Sequence, residues 1–146
     1  MEEQFFTELT EQALSDDIER IVVGAVIMSK DKVLVLKRRK TDFLEGIYEL
    51  PSGKLEEGET IPIALEREVR EETNLKLKDI FEYIGTFDYK SKTGKLTRQF
   101  NFIITVIDPS KVKLSEHERY AWINKETINE YKISDETKKT IRKALN

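Results

Sequence analysis

The sequence predicts a mixed α/β fold, with a mixed β-sheet covered by helices. Three observations lead there. Residues 21–28 are an unbroken apolar run of strand length. Lys92-Thr93-Gly94-Lys95 reads as a hairpin connection between two apolar-rich segments, 80–89 and 96–107. Residues 60–73 repeat apolar side chains at helical spacing. Hairpins and helices together argue against a pure βαβ array.

The elements follow in order. Residues 2–20 are acidic and loosely amphipathic through Phe5, Phe6, Leu9, Leu14 and Ile18, which predicts a short helix. After the 21–28 strand, Lys30-Asp31 makes a turn and Val33–Leu36 is its hairpin partner. Residues 40–47 are expected to be a loop, and Tyr48-Glu49-Leu50 a short strand before Pro51. Ser52 to Glu59 holds two glycines and reads as an ordered loop. The helix at 60–73 starts with Thr60 as N-cap and tolerates Pro62 in its first turn. Arg119 to Asn124 is a short strand around Trp122, a core residue. Residues 125–131 and 134–145 are expected to be helical, the second amphipathic through Ile133, Ile141 and Leu145.

Composition narrows the function. A chain of 146 residues suits one compact domain, so a single domain over 1–146 is expected, with 1–20 as an N-terminal extension. The absence of cysteine excludes disulfides and thiolate metal sites, and the lone His117 excludes a multi-histidine zinc site. Net charge is −3, without a strong field toward nucleic acid or membrane. No apolar run reaches the length of a membrane span, and Met1-Glu2-Glu3 does not open a signal peptide, so a cytoplasmic location is expected.

The acids of the 60–73 helix carry the chemical signal. Glu68, Glu71 and Glu72 stand at i, i+3 and i+4 and share one face. That face overlaps the apolar stripe of Ile61, Leu65 and Val69, whereas Glu66, Arg67 and Arg70 are expected to point the other way. Three carboxylates converging at the edge of a core repel one another, and a positive charge must offset them. A set of oxygens without His or Cys suits Mg²⁺ or Mn²⁺. The plainer reading is an acidic helix whose long side chains reach water. The preceding loop argues against it. Gly53 and Gly58 frame a segment feeding the helix N-terminus, where N–H groups and the helix dipole favour an anion such as phosphate.

Residues 53–75 read Gly53-x5-Glu59-x7-Arg67-Glu68-Val69-x-Glu71-Glu72-x-Asn74-Leu75. This resembles the Nudix box, G-x5-E-x7-R-E-U-x-E-E-x-G-U with U aliphatic, and departs from it only at Asn74. Asn is the commonest non-glycine residue in the left-handed conformation that would end the helix there. Ser52 stands where MutT-like members usually have glycine and would narrow the loop. Leu36–Arg39, Tyr48–Pro51 and Ser115–Glu118 also resemble the family, whereas residues 1–20 match no family motif.

The resemblance implies an αβα sandwich and a magnesium-dependent hydrolase that splits a nucleoside diphosphate derivative, NDP–X, into NMP and P–X. It implies Glu68, Glu71 and Glu72 as metal ligands, with Glu71, Glu72 and Glu116 catalytic. Glu116 is a ligand or the general base, preferred to Glu118 by its spacing to Trp122, and His117 between them is expected to be structural. Glu59 is a ligand through water, an acceptor behind the ligands, or an acid favoured by the helix dipole. Arg67, one turn before Glu71, would orient that ligand. Arg38, Gly53 and Lys54 are the expected substrate contacts, with Arg38 alternatively part of a basic patch with Lys37, Arg39 and Lys40. Lys90, Lys92, Lys95 and Arg98 are expected at a solvated hairpin tip. The expected partner is a small nucleotide, a nucleoside triphosphate or a modified one. ADP-ribose, another nucleotide sugar, or silent nucleotide binding are the alternatives, and homodimerisation is left open. An RNA 5′-end substrate would need a basic track that the net charge does not provide.

Overall fold

The computed structural model describes residues 1–39 and 46–146. Most of the expected 40–47 loop, and Lys40 of the basic patch, therefore lie outside the described residues. A helix α1 (Glu3–Ser15) precedes strands β1 (Arg20–Ser29), β2 (Lys32–Lys37), β3 (Tyr48–Glu49) and β4 (Ser52–Lys54). Helix α2 (Ile61–Thr73) follows, then β5 (Leu77–Lys90), β6 (Leu96–Val106), β7 (Arg119–Ile123) and α3 (Asp135–Leu145).

The sheet runs β3-β2-β1-β6-β5, with β4 on β1 and β7 on β2. β1 and β6 are parallel over eight registered pairs from Arg20↔Thr97 to Ile27↔Ile104, and the other pairings are antiparallel, so the sheet is mixed. On its other edge β1 meets β4 at Val22–Gly24 and β2 only at Met28 and Ser29. This double occupancy explains the unbroken apolar run, because β1 is buried on both faces. Val23, Ala25 and Ile27 join α2 through Ile61, Leu65 and Val69, and α1 through Phe6 and Ala13. Val26 joins Ile141 of α3 on the opposite face. The result is a helix–sheet–helix sandwich, as the family resemblance implies.

Three expectations need correction. The 52–59 segment is not all loop, since Ser52–Lys54 pairs with β1. The 125–131 helix shrinks to a 3₁₀ turn at Ile128–Glu130. There the Asn124 Oδ1 accepts the Glu126 and Thr127 N–H groups, and this local side-chain turn competes with helix. Arg98 is not at a solvated tip. It donates to Asp88 of β5 and to Asp16, which caps the C-terminal end of α1, at 2.8 Å each.

Candidate active site

Helix α2 begins where Thr60 Oγ1 accepts the Ile63 N–H and ends where Asn74 turns left-handed at φ 62°. Between these ends the helical period carries Leu65 and Val69 into the core and brings Glu68 and Glu72 to its rim, each 12% exposed at the side chain, while Glu71 is 52% exposed. Glu66 and Arg70 lie outside, 3.6 Å apart, as expected.

Arg67 does not point away with them. Its guanidinium turns into the acidic row and uses every arm. Nε donates to Glu59 Oε2 at 2.6 Å, Nη2 to Glu59 Oε1 and the Lys54 carbonyl, and Nη1 to Glu68 Oε1 at 2.6 Å and Glu71 Oε2 at 3.4 Å. Part of the positive charge the acids require thus comes from the chain itself. The planar fork serves three carboxylates and a carbonyl at once. It holds the Glu59 carboxyl at about 2, chiefly by direct hydrogen bonding. Glu68, under the same guanidinium, is still raised because burial outweighs it.

Glu72 has no such partner. Burial first, then the charges of Glu68, Glu49 and Glu116, push its carboxyl up to about 9, opposed only by the Ser52 N–H donating to Oε1 at 2.8 Å. His117 Nε2 is bonded to Glu49 Oε2 at 2.8 Å, and its buried Nδ1 has no hydrogen-bond partner among the described residues, 4.0 Å from Glu72 Oε2. Arg38 braces the same Glu49 at 2.7 Å. Arg38 therefore reaches the site through Glu49 and His117. Sequence reasoning left His117 without a partner and missed Glu49, because strand β3 meets the 115–118 loop only in the folded chain.

That loop is tied to the end of α2. Ser115 Oγ donates to the Glu71 carbonyl, the Lys113 N–H to the Thr73 carbonyl, and the Asn74 side chain to the Lys113 carbonyl. The ties bring Glu116 close enough for its charge to act on both Glu68 and Glu72. Glu118 instead faces Lys37 at 4.0 Å.

Several N–H groups of the 52–59 segment are already committed within the chain. Those of Ser52, Leu55, Glu56 and Glu59 donate to Glu72, Ile21, Glu59 and Glu56. Gly53 serves another need, since a Cβ there would overlap the Glu68 carboxylate. Lys54 is exposed at the end of β4. A groove of about 470 Å³ lies beside the start of α2, lined by Met1, Phe6, Thr10, Ile61 and Ile63, and includes neither Glu71 nor Glu72.

Among the described residues no three His, Cys, Asp or Glu side chains are gathered into a ready-made metal cage. The donor chemistry nonetheless suits a divalent cation. Glu68, Glu71 and Glu72 are oxygen donors on neighbouring turns of α2, and Glu72 is buried with no Lys or Arg beside it among the described residues, so a hard cation would relieve its repulsion from Glu68 and Glu116.

A model of the NUDIX domain matches residues 18–144. The chain belongs to the Nudix hydrolase family. This Nudix hydrolase is 33% identical to the 8-oxo-dGTP diphosphatase of Buchnera aphidicola, over 70% of its own length and 75% of that protein's. It is 30% identical to the nucleoside triphosphatase NudI of Escherichia coli, over 85% and 95% of the two chains. Its fold is similar to that of the MutT protein from Methanosarcina mazei Go1, with a TM-score of 0.73 at 25% identity over 84% and 90% of the two chains. No helix among the described residues is long and apolar enough to cross a membrane.

Proposed function

We propose that this Nudix hydrolase cleaves the pyrophosphate bond of a nucleoside triphosphate, or of a modified one, and requires Mg²⁺ held by Glu68, Glu71 and Glu72. The observation that carries the proposal is Glu72, a carboxylate buried among other acids with no Lys or Arg partner among the described residues. A divalent cation there would neutralise the pyrophosphate oxygens and polarise phosphorus. The chain's residues do the rest. Arg67 fixes Glu68 and ties Glu59 behind it. Glu116, exposed on a loop tethered to α2, can approach a water and take its proton. The water oxygen bonds to phosphorus as the bridging P–O bond breaks, giving NMP and P–X.

The two relatives that align over most of this chain, a diphosphatase of 8-oxo-dGTP and a nucleoside triphosphatase, support a triphosphate substrate. The test is a panel of nucleoside triphosphates, 8-oxo-dGTP and ADP-ribose, with the nucleoside monophosphate product resolved by chromatography, in Mg²⁺ and in excess EDTA. Turnover of a triphosphate in Mg²⁺ alone is expected. Full turnover in EDTA would refute the metal requirement. ADP-ribose cleaved tenfold or more faster than every triphosphate would replace the substrate assignment.

A further inference from the structure

His117 is buried on the loop before β7, and only one of its ring nitrogens has a hydrogen-bond partner among the described residues. Nε2 is bonded to Glu49 Oε2 at 2.8 Å, and Nδ1 is the atom left over. Buried polar atoms are ordinarily hydrogen-bonded, so Nδ1 calls for an explanation. The ring has little freedom to seek another partner. It is gripped at Nε2, and the backbone is held on both sides of it. The Glu118 N–H donates to the Lys37 carbonyl at 2.9 Å, and Ser115 Oγ to the Glu71 carbonyl at 2.6 Å. Glu49 is fixed in turn, since its Oε1 accepts Arg38 Nε at 2.9 Å and Nη2 at 2.7 Å.

The fixed ring aims Nδ1 at the acidic row. Glu72 Oε2 lies 4.0 Å away, too far for a direct hydrogen bond. One water with bonds of about 2.8 Å to each atom spans that distance at an angle of roughly 90°. The other oxygen of Glu72, Oε1, already accepts the Ser52 N–H at 2.8 Å. Glu72 would then be gripped at both oxygens, once from β4 and once from the 115–118 loop.

We propose that His117 is a positioning residue for Glu72, the last link of an Arg38–Glu49–His117 chain that holds Glu72 Oε2 through one bridging water. The inference rests on the metal reading of Glu72 above and adds a residue that orients this ligand. Groups that hydrogen-bond a metal ligand from behind fix its orientation, and their loss weakens metal binding. The plainer role, a loop anchor that stops at Glu49, makes the opposite prediction for two variants. Asparagine carries its polar atoms at the place of Nδ1, whereas glutamine carries them at the place of Nε2. His117→Asn therefore keeps the contact toward Glu72 and gives up Glu49, and His117→Gln does the reverse.

The test is calorimetric titration of Mg²⁺ into wild type, His117→Gln and His117→Asn at pH 7.5. Thermal melting checks folding, and kcat and KM are measured on the panel nucleotide turned over fastest. His117→Gln should weaken Mg²⁺ binding about tenfold or more and lower kcat more than it raises KM. His117→Asn should recover most of that loss. Mg²⁺ affinity in His117→Gln as high as in wild type or in His117→Asn would overturn the assignment. A second measurement needs no variant of His117. It is the only histidine in the chain, so ¹⁵N-histidine labelling gives one pair of ring signals. In EDTA, Glu72→Gln should shift Nδ1 more than Nε2. Unmoved signals, or a larger shift at Nε2, would overturn the assignment. An Nδ1 shift in Glu72→Gln together with no Mg²⁺ binding by wild type would instead overturn the metal reading and leave the His117–Glu72 contact standing.

Discussion

Glu72 reaches from the last turn of α2 to the Ser52 N–H, and burial among Glu68, Glu49 and Glu116 lifts its carboxyl from an ordinary 4.5 to about 9. The folded, metal-free protein therefore keeps a proton that the unfolded chain releases above about 4.5. Its stability from this group is complete below that pH and is lost as pH rises toward 9. Glu59 acts oppositely, since its contribution is present above 4.5 and lost as pH falls through about 2. In EDTA at pH 8, Glu72→Gln should melt several degrees above wild type, with the gap closing at pH 4. Its kcat in Mg²⁺ should fall on the order of 10²-fold. A variant melting below wild type at pH 8 would contradict the burial account. Gly53→Ala makes a separate prediction. Its Cβ would displace the Glu68 carboxylate, the mobile end of a side chain, so activity should fall at least tenfold while melting changes little. Wild-type kcat in that variant would show that Glu68 tolerates displacement. At this scale the three glutamates were legible, because a helical period puts i, i+3 and i+4 on one face. The Arg67 fork was not, because its partners Glu59 and Lys54 are placed by β4 and the following turn.

Helix α2 was readable at both ends. Thr60 caps it, and Asn74 adopts the left-handed conformation expected where the family has glycine. The Asn74 side chain, however, does not bond locally. Its Nδ2 donates to the Lys113 carbonyl, 39 residues away, at 2.8 Å. Asn74→Gly thus exchanges a relieved Cβ penalty against a lost hydrogen bond, and its stability should stay within about 1 kcal/mol of wild type. Asn74→Val incurs both losses and should destabilise by roughly 2 kcal/mol or more in urea unfolding. Because that bond also anchors the 113–116 segment, the Val variant should lose activity beyond its loss of fold, through Glu116. A Val variant as stable and active as wild type would refute both roles. The shorter elements were harder to read. β4 has three residues, one of them Gly53, and only its pairing with Val22–Gly24 makes it a strand.

At the scale of the molecule, the two sides of the sheet divide the labour. α2 and α1 cover one face and α3 part of the other, and the acidic row belongs to α2 on the first. A mixed sheet covered by helices was foreseeable from the hairpin signal and the buried strand, and the sandwich from the family resemblance, but the parallel β1–β6 pairing that builds it was not, because 77 residues separate Arg20 from Thr97. The N-terminal helix matched no motif, yet Phe6 is buried against Phe102 at a ring distance of 5.6 Å. Phe6→Ala should cost about 3 kcal/mol of stability in urea and leave Mg²⁺ affinity unchanged, since it touches none of the acids. A loss under about 1 kcal/mol would mean that α1 is dispensable to the core. The central claim, that Glu68, Glu71 and Glu72 together hold a catalytic divalent cation, is tested most directly by calorimetric titration of Mg²⁺ into wild type, Glu71→Gln and Glu72→Gln at pH 7.5. The expected result is binding by wild type, weakened about tenfold or more in each variant. Equal Mg²⁺ affinity in all three proteins would contradict it.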